Sequence, residues 1–469
     1  MKNTSRENLF GIALVALSII ILVLMTYGWH FFVWIHLVPL IYIAYRRKLK
    51  QVILFGLLYS IISSFFVFDW IIDKNLENSG KMYFSIAVIF TVFVTSFLAL
   101  TSIFSKKINR KFLFLLPPVI WALMLLAYSW LPLKILWQDY SLFQPDTAPL
   151  IWIFGSFGIT FAIFTFNSLL AQYFYLKEKR ILYISFALFL LVAASILYSN
   201  FHVFSAETKL KIALIQGNFP YSWEERNKDA FGRILDSYVN LTKEASFSKP
   251  DMVIWPEYAI SDDIFTDEYT FSLLRNLAQN LNTTLIIGTL RYVDNDHYYD
   301  TSAIFSNNGQ VSTYDSISPI IFEPNALRST NENIIKFKEG NFGISMCNEE
   351  LIAPLARKSS AKSGFLISLS NNQYFNRGRL IISQFSKLRA AENGKYIARA
   401  TNDGITQIVN PAGKVVATLD IGKQNILIGE IYINNEQTFY NRFGNLPLFF
   451  VLLLSILLLQ KRPNEDRRK

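Results

Sequence analysis

The chain has 469 residues, of which 52% are hydrophobic, 16% aromatic and only 17% charged, with a net charge of +10. An ordinary soluble domain is less apolar and more charged, so a wholly water-soluble enzyme is excluded. One cysteine rules out an intramolecular disulfide, and four histidines without ligand spacing give no expectation of a metal site.

The apolar excess is concentrated. Residues 1–200 are almost continuous apolar runs, 201–440 read as a globular domain, and 441–460 is apolar again. A bilayer crossing takes about 20 such residues. Eight runs qualify, near 8–27, 30–45, 52–70, 83–104, 112–132, 150–175, 181–200 and 441–460; the second is short and holds His30 and His36. Basic residues orient them. Eighteen Lys and Arg fall at the N-terminus, in clusters at 46–50, 106–111 and 177–180, and in the tail, whereas the alternate loops hold only Lys74, Lys81 and Lys134. Both termini are therefore expected in the cytoplasm, with the domain that follows the seventh span on the opposite face. This asymmetry accounts for much of the net charge, and no nucleic-acid partner is expected.

Within 201–440 the predicted elements alternate. Strands are expected at 211–216, 251–255, 284–288 and 365–370, with helices over 223–246, 267–281 and 378–394 between them. A hairpin is expected over 301–315 around Asn307-Asn308-Gly309, and 316–335 reads as irregular. The strand that ends at Cys347 leads into a helix from about 349, and strands at 396–401, 405–410, 414–420 and 426–433 close the domain. The pattern is that of a layered α/β domain.

Several strands end in a polar residue: Glu257 after Val-Ile-Trp-Pro, Cys347 after Gly-Ile-Ser-Met, and Asn371 and Asn372 after Ile-Ser-Leu-Ser. Ligand sites in α/β sheets gather at the carboxyl ends of strands, so these ends are expected to converge. A thiol at a strand end beside acids is a candidate nucleophile that needs a base or a positive charge to form its thiolate. A lone cysteine is also commonly a small core residue, and Glu257 taken alone could be a solvated loop acid.

Five segments in this order and topology resemble the apolipoprotein N-acyltransferase family, membrane members of the nitrilase superfamily. They are Ala213 to Pro220, Trp255 to Ile260, Gly343 to Glu349, Arg389 to Gly394 and Arg399 to Ile405. The resemblance implies a multi-pass α-helical membrane domain of about seven helices over 1–200. It further implies an extracytoplasmic nitrilase-like αββα sandwich over 207–435, a closing helix over 441–460 and a basic cytoplasmic tail over 461–469. Glu257 matches the family's glutamate, Cys347 its cysteine, and Glu349 a supporting acid. Ser316 stands at the lysine position and Ser318 at a histidine position; Glu323 matches the loop glutamate one residue out of register. Lys336, Lys338 and Arg328 are candidates to replace the missing charge, and Phe322, Tyr374 and Phe375 to line a lipid entrance. Asn371, Asn372, Arg389, Glu392, Asn393 and Asn402 are expected to be structural.

The resemblance implies ping-pong transfer of an acyl chain from a phospholipid, through a Cys347 thioester, to the N-terminal amine of a diacylated apolipoprotein. It implies no cofactor, a monomer, and a bacterial inner-membrane location. With serine in the lysine position, a catalytically impaired lipid- or lipoprotein-binding homologue and an extracytoplasmic amide hydrolase are the alternatives.

Overall fold

Apolar runs without charge form helices that bury one stripe and expose the rest, and the first 200 residues do this. The computed structural model describes residues 2–72, 79–128, 139–147, 149–201, 208–219, 228–319, 323–337 and 340–460. The chain forms two compact units, Met1–Phe201 with Phe443–Lys469, and His202–Arg442. The basic tail at 461–469 lies outside the described residues.

In the first unit, α1 (Lys2–Thr26) is followed by a 3-10 turn His30–Trp34 and α2 (Val38–Arg46). Then come α3 (Leu49–Val67), α4 (Ser79–Ser105), α5 (Leu116–Tyr128), α6 (Leu150–Leu176) and α7 (Lys179–Phe201). Among the described residues six helices are long and apolar enough to cross a membrane: Arg6–Thr26, Leu49–Val67, Ser79–Ser105, Arg110–Tyr128, Leu150–Leu176 and Lys179–Phe201. Exposed side chains such as Leu54, Phe84 and Leu190 cover their outer faces, as lipid contact requires.

Two of the eight expected spans are shorter. Pro39 sits in the first turn of α2, and its ring blocks a helix arriving from 30–35. The nine residues of α2 rise about 13.5 Å, well under a hydrocarbon core of about 30 Å. Backbone groups freed at this break meet Asn167: Leu37 N donates to its Oδ1 at 2.8 Å, and its Nδ2 donates to Val33 O at 3.0 Å.

In the second unit the strands carry the alternation. The first sheet comprises β1 (Thr208–Gln216), β2 (Met252–Ile254), β3 (Ile260–Asp263), β4 (Thr284–Tyr292), β5 (Tyr298–Phe305), β6 (Val311–Asp315) and β13 (Asn425–Ile433), in the order β13-β1-β2-β4-β5-β6 with β3 beside β4. The second comprises β7 (Ile334–Phe337), β8 (Gly340–Met346), β9 (Phe365–Ser370), β10 (Ile397–Thr401), β11 (Gln407–Val409) and β12 (Val415–Thr418), in the order β12-β11-β10-β9-β8-β7. Successive residues of a strand face opposite ways. Ile212 and Leu214 therefore pack toward Phe342, Ile344, Phe365 and Ile367 of the second sheet. Ala213 and Ile215 pack instead under α8 (Lys228–Ser246) and α9 (Glu268–Asn280), against Leu235, Tyr238 and Leu274. On the far side Leu366, Ile397 and Val409 meet Ala390 of α11 (Gly378–Asn393), which neighbours α10 (Ala353–Ser360). The layers run helix, sheet, sheet, helix, as expected of a nitrilase-like sandwich. After α12 (Phe439–Phe443), the left-handed Gly444 and Pro447 set the start of α13 (Leu446–Leu459), so the closing helix has 14 residues.

β3 and β7 were not expected. Ser261-Asp262-Asp263 lacks a strand's composition, and β7 closes the stretch read as irregular.

Candidate active site

The site begins where β2 stops. Trp255 is fully buried and its Nε1 donates to Thr242 Oγ1 at 2.8 Å. Pro256 ends the strand, and the turn presses against Gly288 on β4. A Cβ at 288 would meet Pro256 O at 2.3 Å and Glu257 Cα at 2.6 Å, so only glycine lets the turn close on the strand. Glu257 is thereby delivered, buried, at the carboxyl end of β2.

Cys347 follows β8 and opens a 3-10 turn, Cys347–Leu351. Its φ is +38° and that of Tyr258, next to Glu257, is +51°. Non-glycine residues held in the left-handed region cost about 1–3 kcal/mol each, and such outliers cluster at functional sites.

What holds the turn is Glu349. This buried carboxylate accepts hydrogen bonds from Tyr314 Oη at 2.8 and 2.9 Å, Ser316 Oγ at 2.9 Å and Met346 N at 2.9 Å. It also accepts from Ile317 N at 2.7 Å and Ser318 N at 3.1 Å. The strand end and the loop after β6 are thus tied to one anion. The neighbouring Glu350 pairs with buried Arg399, whose Nη2 donates to Asn372 Oδ1 at 2.6 Å.

Glu257 and Cys347 come together. The Glu257 carboxyl and the Cys347 thiol each act directly on the other's ionisation, and Asn371 N, just past β9, donates to Glu257 Oε2 at 2.6 Å. The ends of β2, from one sheet, and of β8 and β9, from the other, therefore meet at these groups. Burial, with the Glu323 charge adding to it, pushes the Glu257 carboxyl up to about 8, against hydrogen bonds from Cys347, Asn371 N and Asp300. Burial also pushes the Cys347 thiol well up, followed by the charge of Glu257 and its hydrogen bond, then Asp300 and Glu323. The charges acting most strongly on the thiol are thus all carboxylates. The sulfur rests as a thiol, and Glu257 is a stronger base than an ordinary carboxylate.

The other expected residues divide. Glu323 accepts from Tyr258 Oη at 3.1 Å, and burial raises its carboxyl. Ser316 does not stand in for a lysine at the thiol, because its hydroxyl donates to Glu349. Arg328 and Lys336 are exposed, while Lys338 and Phe322 lie outside the described residues. Phe375 lies in the 3-10 turn Gln373–Phe375 with Tyr374. Arg389 and Glu392 form a buried pair on α11. Asn402 clamps the turn after β1, donating to Phe219 O at 2.7 Å and accepting from Phe219 N at 3.0 Å.

Sequence reasoning missed Asp300. It lies on β5, buried, where burial and then the Glu257 charge push its carboxyl well up. A strand-interior acid has no end-of-strand signal; the one available cue was an acid on the strand face it shares with Ser302 and Ile304.

Comparison with known proteins matches residues 211–439 to the carbon-nitrogen hydrolase family and residues 16–169 to the apolipoprotein N-acyltransferase N-terminal domain. The chain belongs to the apolipoprotein N-acyltransferase family. It is 26% identical over 449 residues to an apolipoprotein N-acyltransferase of Wigglesworthia glossinidia brevipalpis, covering 86% of this chain and 87% of that one. It is 24% identical over 419 residues to that of Rickettsia typhi, covering 80% and 82%. Among solved structures, Saccharomyces cerevisiae Nit3, a nitrilase-superfamily member, overlays 52% of this chain and 98% of its own, with a TM-score of 0.42 and 21% identity. The family is one of multi-pass membrane acyltransferases of lipoprotein biosynthesis with a nitrilase-like domain.

Proposed function

We propose that this chain moves an acyl chain from a membrane phospholipid to the N-terminal amine of a diacylglyceryl-cysteine apolipoprotein through a thioester on Cys347. The observation that carries the reading is the juxtaposition of Glu257 and Cys347 at converging strand ends, in a chain of this family. Glu257 takes the thiol proton as sulfur bonds to the ester carbonyl carbon. The ester C–O bond breaks, and the lysophospholipid alkoxide leaves with the proton from Glu257. The acceptor amine then attacks the thioester, gives a proton to Glu257, and the C–S bond breaks to restore the thiol. With both the thiol and the base raised, the proton moves in concert with attack rather than through a standing thiolate. Cys347→Ala is expected to cut acyl transfer in detergent at least about 10³-fold; activity within tenfold of the parent would remove Cys347 from the mechanism.

A second reading has a specific support. No cation figures among the groups acting most strongly on the thiol, and Ser316 is committed to Glu349. Losing one oxyanion donor costs about 2.7–4 kcal/mol. A homologue that binds diacylated lipoprotein without acylating it would retain the same fold and form no acyl-enzyme.

The basic-residue asymmetry supports an α/β unit outside the cytoplasm and both termini inside. That orientation counts 30–45 and 441–460 as crossings despite their short helices. Alkaline phosphatase fused after residue 201 is expected to be active and one fused after residue 469 inactive; the opposite pattern would reverse the assignment.

A further inference from the structure

We propose that Arg399 is a positioning residue that sets the thiol against its base: its guanidinium joins the turn carrying Cys347 to the loop whose backbone N–H holds Glu257. The inference rests on the reading of Cys347 as nucleophile and Glu257 as base.

It starts from the strand. On β10, Ala398 and Ala400 face the core between the two sheets. Alternation turns Arg399 the other way, onto the face that Ile397 presents to Ala390 of α11. There Arg399 is fully buried. A charge so placed needs partners, and each arm of the planar fork has one. Nε donates to Glu350 Oε2 at 2.9 Å, Nη1 to Ile405 O at 2.7 Å and Nη2 to Asn372 Oδ1 at 2.6 Å. Glu350 also accepts from Ser368 Oγ of β9 at 3.0 Å and from Ser386 Oγ of α11. By contrast, the buried Arg389 leaves its Nε without a partner among the described residues. A polar network with every member satisfied is rigid, and the one centred on Arg399 has that property.

The two ends of this network lead to the two reacting groups. Glu350 belongs to the same 3-10 turn as the thiol, Cys347–Leu351. Asn372 is held at its side chain by Arg399 and at its backbone, where its N donates to Asp403 O at 3.1 Å. The residue before it, Asn371, sends its N–H to Glu257 Oε2 at 2.6 Å. Glu257 follows β2 of the first sheet, whereas Cys347 follows β8 of the second. Glu349 ties the thiol turn to the loop after β6; Arg399 ties the same turn to the loop after β9, where the base is held. A lysine could keep the charge beside Glu350, but its single ammonium lacks the fixed fork that spans three acceptors.

The test uses the full chain in detergent and reads iodoacetamide alkylation of Cys347, the only cysteine, at pH 7, with melting as the check on folding. Arg399→Lys is expected to melt near the parent and to slow alkylation about tenfold, because the base no longer sits in place to take the thiol proton. Asn372→Ala cuts the same link at its other end and is expected to slow alkylation by a similar factor. The combined variant is expected to be no slower than the slower single one, since both changes break one path. A role confined to holding the fold gives the opposite sign: a loosened turn exposes the thiol and alkylation speeds up. Faster alkylation overturns the proposal. So does a rate within about threefold of the parent in either single variant, or losses that multiply to about a hundredfold in the pair. Should Arg399→Lys not fold, Asn372→Ala decides alone: slower alkylation supports the link, and an unchanged or faster rate overturns it. Glu257→Gln is run alongside. Unchanged alkylation there would sink the base reading itself; slowed alkylation there, with Arg399→Lys behaving like the parent, removes only the positioning role.

Discussion

Replacing Glu257 by glutamine is expected to lower acyl transfer by about 10²–10⁴-fold, the usual worth of a positioned base, and at the same time to make the chain harder to unfold at neutral pH. The two effects share one cause. The folded carboxyl is raised to about 8, chiefly by burial, whereas in the unfolded chain it ionises near 4.3. Below pH 4 both states hold the proton and the group contributes nothing to pH dependence. Between about 4.3 and 8 the unfolded state releases its proton first, so stability falls as pH rises; above 8 the full cost of a buried anion is present. The cost is about 3.6 kcal/mol at pH 7. Glutamine has no proton to lose and is expected to melt several degrees higher at pH 8 but not at pH 4. Melting curves of parent and variant at these two pH values check this. A variant that melts lower than its parent at pH 8 would show that Glu257 is not a destabilised, poised base.

Glu349→Ala is expected to do the reverse and damage both stability and activity. Five groups donate to that carboxylate: Tyr314 Oη, Ser316 Oγ, and the backbone N–H of Ile317, Ser318 and Met346. Removing it leaves these donors without their acceptor. Each buried orphan costs about 1–3 kcal/mol before relaxation, and loss of about 3–5 kcal/mol is expected for the whole cluster. The left-handed Cys347 loses the contact that fixes the residue before it, so the thiol no longer faces Glu257, and transfer is expected to drop at least about 10²-fold. Thermal melting and the acyl-transfer rate read the two effects separately. A variant that keeps its melting temperature and more than a third of its rate would show that Glu349 is not the anchor of this turn.

Much of this was legible in sequence because it rests on local signals. Glu257 and Cys347 each close an apolar run, so their positions at strand ends could be read from Met252 to Glu257 and from Phe342 to Cys347. A layered α/β domain follows from strands alternating with helices between 211 and 433; the two-sheet sandwich was implied by the family resemblance. What escaped depends on partners distant in sequence. Asp300 matters because of a carboxyl on another strand, and nothing in Tyr-Tyr-Asp-Thr-Ser announces it. Ser316 could be placed at the lysine position, but the partner of its hydroxyl is set by Glu349, on the turn after β8. The second membrane run looked continuous in hydropathy, yet one proline split it, with a buried asparagine from α6 meeting the freed backbone.

The central claim is that Cys347 carries the acyl group. Intact-mass analysis of the detergent-solubilised chain after incubation with a single defined phospholipid, without acceptor, tests it most directly. A gain of one acyl group is predicted, mapped to the Cys347 peptide, labile to hydroxylamine and discharged on adding a diacylglyceryl-cysteine peptide. No adduct under conditions that support transfer, or an adduct on another residue, would contradict the account.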